Sequence, residues 1–183
     1  MKEKIIGDNV YLSKIEVADV DSEMLDWFQD EELMKYYTNL KRKIDKEELL
    51  RSIKEGEESK SSYTFGIFYK ENNKCIGTVK LGPINHVHKI SDLVVLLGNK
   101  NYHGKGLASE SIALGNKIAF DKFDIRKLFG GMYKSNISSI KAYTKAGWVI
   151  EGNLKGHYLE NGQPIDRILV GCFNPKYFFN EEK

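Results

Sequence analysis

ISDLVVLLGNKNYHGKGLASESIALGNKIAF, residues 90–120, carries a strand signal, a turn signal and a helix signal in one run of chain. Leu93, Val94, Val95, Leu96 and Leu97 are an unbroken series of branched apolar residues, which suits a strand covered on both faces. Leu107, Ser111, Leu114 and Ile118 then fall on one helical stripe, with Ala108, Ile112, Gly115 and Ala119 beside it. Between the two lies His103-Gly104-Lys105-Gly106-Leu107-Ala108. Its glycines allow a sharp turn and a close approach of backbone to a ligand. The helix that follows opens with unpaired N–H groups and a partial positive charge, which make an anion site. A phosphate-bearing ligand is therefore expected at this turn. Two common phosphate loops do not fit. A P-loop needs Gly-Lys-Ser/Thr, whereas Lys105 is followed by Gly106; the dinucleotide fingerprint needs Gly or Ala where Ser109 stands.

The segment around Gly106 and Ala108 resembles the acetyl-CoA pyrophosphate loop of the GNAT superfamily of N-acetyltransferases, Gln/Arg-x-x-Gly-x-Gly/Ala. His103 occupies the Gln/Arg place. A second segment, NISSIKAYTKAGW at residues 136–148, resembles the same family's Asn-x-x-(Ala/Ser)-x-x-x-Tyr-x-(Lys)-x-Gly-Phe. The two occur in family order, and the strong resemblance covers residues 90–152. The remainder is more loosely similar to a branch that includes ribosomal-protein N-terminal and amino-sugar acetyltransferases.

The resemblance implies acetyl-CoA as co-substrate, with no metal. Backbone amides of His103, Gly104, Lys105, Gly106, Leu107 and Ala108 would hold its pyrophosphate. Free backbone groups on a splayed strand, at about Leu96, Leu97 and Gly98, would face its thioester. Asn136 would contact the cofactor besides capping a helix, and Tyr143 would act as the general acid that protonates the departing thiolate. Some family members carry a Glu five residues before the Asn; Gly131 stands there, so that base does not carry over. The acceptor would enter between the helical hairpin and the last two strands, where Trp27, Tyr36, Tyr37, His157 and Tyr158 are candidates.

Length and composition agree with such an enzyme. A chain of 183 residues, 41% hydrophobic and 30% charged, fits one domain over residues 1–183, with 174–183 as a C-terminal tail. A net charge of +2 implies no general affinity for nucleic acid or an anionic membrane. Cys75 and Cys172 sit in apolar runs and read as reduced buried thiols of a cytoplasmic protein. No signal peptide or long apolar run is evident. A monomer or homodimer is expected.

The remaining chain reads as an opening strand over 9–14, then a helix from a cap at Asp19 or Asp21 that breaks near Asp30. A second helix starts at an Asp45/Glu48 capping box. Strands follow over 63–69, 75–81, 89–98, 127–133, 148–158 and 164–173. Gly82-Pro83 is read as a strand break and Asn161-Gly162 as a hairpin turn. The fold class is α/β of the mixed α+β kind. It is a GNAT-like central twisted sheet of about seven strands with about four helices on its faces, in the order β-αα-βββ-α-β-α-ββ.

Acetyl transfer also needs a proton acceptor for the attacking amine. The residues leave it open among Asp92 on the strand before the loop, His86 or His88 in the preceding turn, and His157, or water alone. No cysteine has a nucleophile's setting, so direct attack in a ternary complex is expected. The preferred acceptor is a small-molecule amine that lines up with Trp27, Tyr36, His86, His157 and Tyr158, such as a nucleotide-linked amino sugar. The rivals are a protein N-terminus or lysine, and a non-catalytic acyl-CoA sensor.

Overall fold

The computed structural model describes residues 3–37 and 44–178. Within them the chain forms one eight-stranded sheet. Short β1 (Lys4–Ile6) and β2 (Val10–Lys14) lead into α1 (Ser22–Trp27), α2 (Glu31–Met34) and α3 (Lys46–Glu58). The meander β3 (Tyr63–Tyr69), β4 (Cys75–Asn85) and β5 (Ile90–Leu96) runs into α4 (Leu107–Lys117), prolonged by a π turn over Ile118–Lys122. Then come β6 (Lys127–Tyr133), α5 (Ile137–Lys145), the hairpin β7 (Val149–Glu160) and β8 (Gln163–Phe173), and α6 (Pro175–Phe178). The sheet order is β1-β2-β3-β4-β5-β6-β8-β7, antiparallel except for the β5–β6 pair.

The expected mixed layer is present with three local corrections. β1 is an additional strand, too short for alternation to reveal it; it exists because it pairs with Tyr11, Leu12 and Ser13 of β2. Gly82-Pro83 does not end β4. The ladder to β5 shifts register between Leu81 and Ile84, and this irregularity accommodates a residue with no N–H to donate. Part of the expected tail is helical, as α6; residues 179–183 lie outside those described.

Aspartates start the three N-terminal helices. Asp21 accepts from the Met24 N–H at 2.8 Å, Asp30 from Leu33 at 3.0 Å and Asp45 from Glu48 at 2.8 Å. The anticipated break at Asp30 is thus a new N-cap. At the other end, Asn161 and Gly162 both take positive φ, as a two-residue hairpin turn requires.

β5 is the strand between two cores. Leu93 packs with Val10, Ile67, Val79 and Leu128, and with Leu107, Ile112 and Ile118 from the α4 segment. Leu96, on the opposite face, packs with Met24, Trp27, Met34 and Leu49 of the helical hairpin. Small residues set both approaches. A Cβ on Gly115 would lie 3.0 Å from Leu93, so α4 presses directly on the sheet; a Cβ on Gly98 would lie 2.0 Å from the Trp27 ring.

Candidate active site

β5 and β6 pair only at Ile90–Lys127, Ser91–Leu128 and Asp92–Phe129, then separate. Beyond Asp92 the backbone of β5 on that side has no strand partner, and tyrosine hydroxyls take its place. Tyr143 Oη donates to the Leu93 carbonyl at 2.7 Å and accepts from the Val95 N–H at 3.3 Å. Tyr37 Oη donates to the Val95 carbonyl at 2.8 Å. The unpaired edge therefore begins at Leu93, upstream of the anticipated Leu96, Leu97 and Gly98. On its other edge β5 stays in register with β4 through Leu96, the Leu97 carbonyl meets His103 Nε2 at 2.7 Å, and Gly98 is covered by Trp27.

The Gly loop turns through two left-handed residues, Gly104 at φ +73° and Gly106 at φ +79°. Gly106 is the N-cap of α4 and brings no side-chain cap. Among the described residues, none accepts a hydrogen bond from the N–H groups of Gly104, Lys105, Gly106, Leu107 or Ala108. The His103 amide differs: it donates to the Lys100 carbonyl at 3.1 Å, because a 3-10 turn over Lys100–Tyr102 precedes it. The open amide series thus begins at Gly104, one residue later than expected.

These amides face a cavity of about 880 Å³, lined by His103, Gly104, Gly106, Leu107 and Ala108, by Leu96 and Leu97, and by Asn136 and Tyr143. Lys35, Lys100, Lys141 and Lys145 also line it, against Glu32 as the lining carboxylate, so the wall favours an anion. Lys105 points elsewhere, with its ammonium 5.3 Å from the Tyr102 ring centre. A second cavity of about 340 Å³ occupies the fork between β5 and β6, lined by Asp92, Gly130, Gly131, Tyr133, Tyr158 and Arg167. Tyr36, Tyr37, Val95, Asn136, Ser139 and Tyr143 border both. Asn136 also caps α5, accepting from the Ser139 N–H at 3.2 Å.

Titration in the fork is set by burial. Loss of water raises Asp92 to about 6, although the backbone N–H of Leu93 and the charges of Arg167 and Lys80 act to lower it. Burial likewise raises Tyr143 well above the ordinary phenol, reinforced by Tyr37 and Asp92 nearby.

The other acceptor candidates divide. Tyr36 and Tyr158 are in place, but Trp27 is a core residue and lines neither cavity. His86 is fixed at 2.8 Å on the Lys60 carbonyl, in the turn before β5, and also lines neither. His157 is exposed, edge-on to Tyr158 and 3.4 Å from Arg167. Arg167 itself escaped the sequence reading. The Gly131 position lacking a side chain was the available signal, since a Cβ there would lie 1.9 Å from Arg167 Nε.

Among the described residues no cluster of His, Cys, Asp and Glu could hold a metal ion, and no helix is long and apolar enough to cross a membrane.

Comparison with known proteins agrees with this geometry. The family described as Acetyltransferase (GNAT) domain matches residues 9–149. A probable N-acetyltransferase, YjcK of Bacillus subtilis, is 27% identical over 181 residues, covering 92% of this chain and 96% of the relative. Spermidine N(1)-acetyltransferase of Escherichia coli is 33% identical over 101 residues, covering 55% of this chain and 54% of that enzyme. Among solved structures, spermidine N-acetyltransferase of Vibrio cholerae in complex with CoA and spermine superposes with a TM-score of 0.81. It does so at 20% identity, covering 93% of this chain and 98% of the other. The chain belongs to the GNAT acetyltransferase family and is an N-acetyltransferase of that fold.

Proposed function

We propose that this enzyme transfers the acetyl group of acetyl-CoA to a primary amine of a small molecule, by direct attack within a ternary complex. The observation that carries the reading is that Tyr143 is shared by two cavities, one walled by open amides and lysines, the other lined by Asp92. In this reading the amides of residues 104–108 bind the diphosphate at the α4 N-terminus. The thioester then lies along the unpaired edge of β5. The amine nitrogen attacks the thioester carbonyl, a C–N bond forms and the C–S bond breaks. The amine proton passes to Asp92, directly or through water, and the thiolate takes a proton from Tyr143. The Tyr143 proton rests on the Leu93 carbonyl, so the hydroxyl must turn to deliver it.

Thiol release with a panel of amines tests this. The panel holds spermidine, glucosamine, a nucleotide-linked amino sugar and peptides with free N-termini or lysines. Turnover of a small amine supports the proposal. Turnover of peptides alone would favour the protein-acetylating alternative, and tight acetyl-CoA binding without turnover on any acceptor would favour a sensor.

A further inference from the structure

The fork contains a cation that the transfer chemistry leaves without a task. Arg167 Nε is buried and has no hydrogen-bond partner. No carboxylate among the described residues lies within ion-pair distance of Arg167, although Asp92 lines the same cavity. The strand registers put the two on one face of the sheet. Asp92 is opposite Phe129, Gly131 is two residues further along β6, and Arg167 is opposite Tyr133. Gly131 makes room for the guanidinium, which lies over the Tyr158 ring at 5.4 Å. Tyr158 stacks on Tyr133 at 4.2 Å, and Tyr133 meets Tyr36 at 5.4 Å. The guanidinium thus rests over one ring of a tyrosine stack and lines the fork, with Nη1 3.4 Å from His157 Nε2 and Nε left without a partner.

We infer that the acceptor carries an anionic group, a carboxylate or a phosphate, a few bonds from its amine, and that Arg167 binds that anion. The inference rests on the transferase reading above. A planar guanidinium suits two parallel hydrogen bonds to either anion. The charge balance of the fork points the same way. Among the described residues lining it, the formal charges are one carboxylate, Asp92, and one guanidinium, Arg167. That pair matches an amine and an anion on one molecule. A polyamine would meet a single carboxylate beside a positive charge.

The test uses matched acceptors, tyramine against tyrosine and glucosamine against glucosamine 6-phosphate, with spermidine as the polycation. We expect kcat/KM to favour the anionic member of at least one pair by about ten-fold or more, and the pair that does so identifies the anion. Arg167→Gln should lower kcat/KM for that member by about 100-fold, chiefly through KM. Compared on the high-pH plateau, where Asp92 is ionised in both proteins, the loss for the neutral member should be far smaller than for the anionic one, acetyl-CoA affinity should hold, and Arg167→Lys should restore part of the loss. A preference for spermidine or the neutral amines, or an equal loss for every acceptor in Arg167→Gln, overturns the inference.

Calorimetry on the CoA-loaded protein separates it from the transferase reading. Glucose 6-phosphate and 3-(4-hydroxyphenyl)propionate lack the amine and need no turnover. Binding of either that disappears in Arg167→Gln supports the anion site even if no amine is acetylated. Binding of neither overturns it.

Discussion

At Tyr143 a single hydroxyl is both structural and chemical. It replaces a missing strand partner by bonding Leu93 and Val95, and its burial raises the phenol so that it stays protonated at neutral pH. Tyr143→Phe should lower kcat by about ten-fold or more while leaving the acetyl-CoA Kd intact, since removing the hydroxyl leaves the cofactor wall in place. Unchanged kcat would remove its acid role. Asp92 gives a pH signature. Its carboxyl is raised to about 6, chiefly by burial, so it is neutral below that pH and able to accept a proton above it. kcat/KM should fall as pH falls through about 6, and this limb should vanish in Asp92→Asn. Arg167 acts to lower Asp92, so in Arg167→Gln the limb should move to higher pH. These residues were unequally legible. Tyr143 and Asn136 sit in a local motif with fixed spacing, so the sequence exposes them. Asp92 was visible as one candidate among several. Arg167 was hidden because its setting comes from strand register, which pairs it with Tyr133 more than thirty residues away.

At the level of elements, the start of α4 is the most constrained point. Gly106 must take φ +79°, a conformation that a β-branched residue does not tolerate, and its neighbourhood is open, with Lys145 Nζ the nearest atom at 4.0 Å. Gly106→Val should therefore abolish acetyl-CoA binding through backbone rearrangement while the fold survives; titration calorimetry together with a far-UV spectrum checks both parts. Normal binding by the folded variant would contradict the diphosphate assignment. The elements that patterning found share one property: their signals are local. The apolar run of β5, the stripe of α4 and the Asn161-Gly162 turn each need only neighbouring residues. What patterning missed depended on partners far along the chain. β1 needs β2 to exist, and β4 runs on through Pro83 because its register with β5 shifts there. The opened edge of β5 was anticipated at about Leu96–Gly98, but where it begins follows from where β6 diverges, which is already at Leu93.

Across the whole molecule, the sheet has two parts joined at a short seam. β1–β5 form one antiparallel part and β6–β8 the other, and the β5–β6 pairing that joins them spans three residue pairs. A second tie crosses between α4 and the end of α5. Buried Asn116 donates to the Ala146 carbonyl at 3.1 Å and accepts from Trp148 Nε1 at 3.0 Å. The large cavity opens beside this seam, with walls from both parts, so a ligand filling it links them again. Acetyl-CoA at one hundred times its Kd should stabilise the fold by about 2.7 kcal/mol, read as a rise in Tm that Gly106→Val lacks. Asn116→Leu fills similar space but leaves the indole N–H and the Ala146 carbonyl unpaired, which should destabilise the free enzyme by about 1–3 kcal/mol. Because that tie holds α5 against α4, and α5 carries Asn136 and Tyr143 into the cavity wall, the same variant should weaken acetyl-CoA binding without touching it. A variant that loses stability yet binds acetyl-CoA with full affinity would show that the seam serves the fold alone.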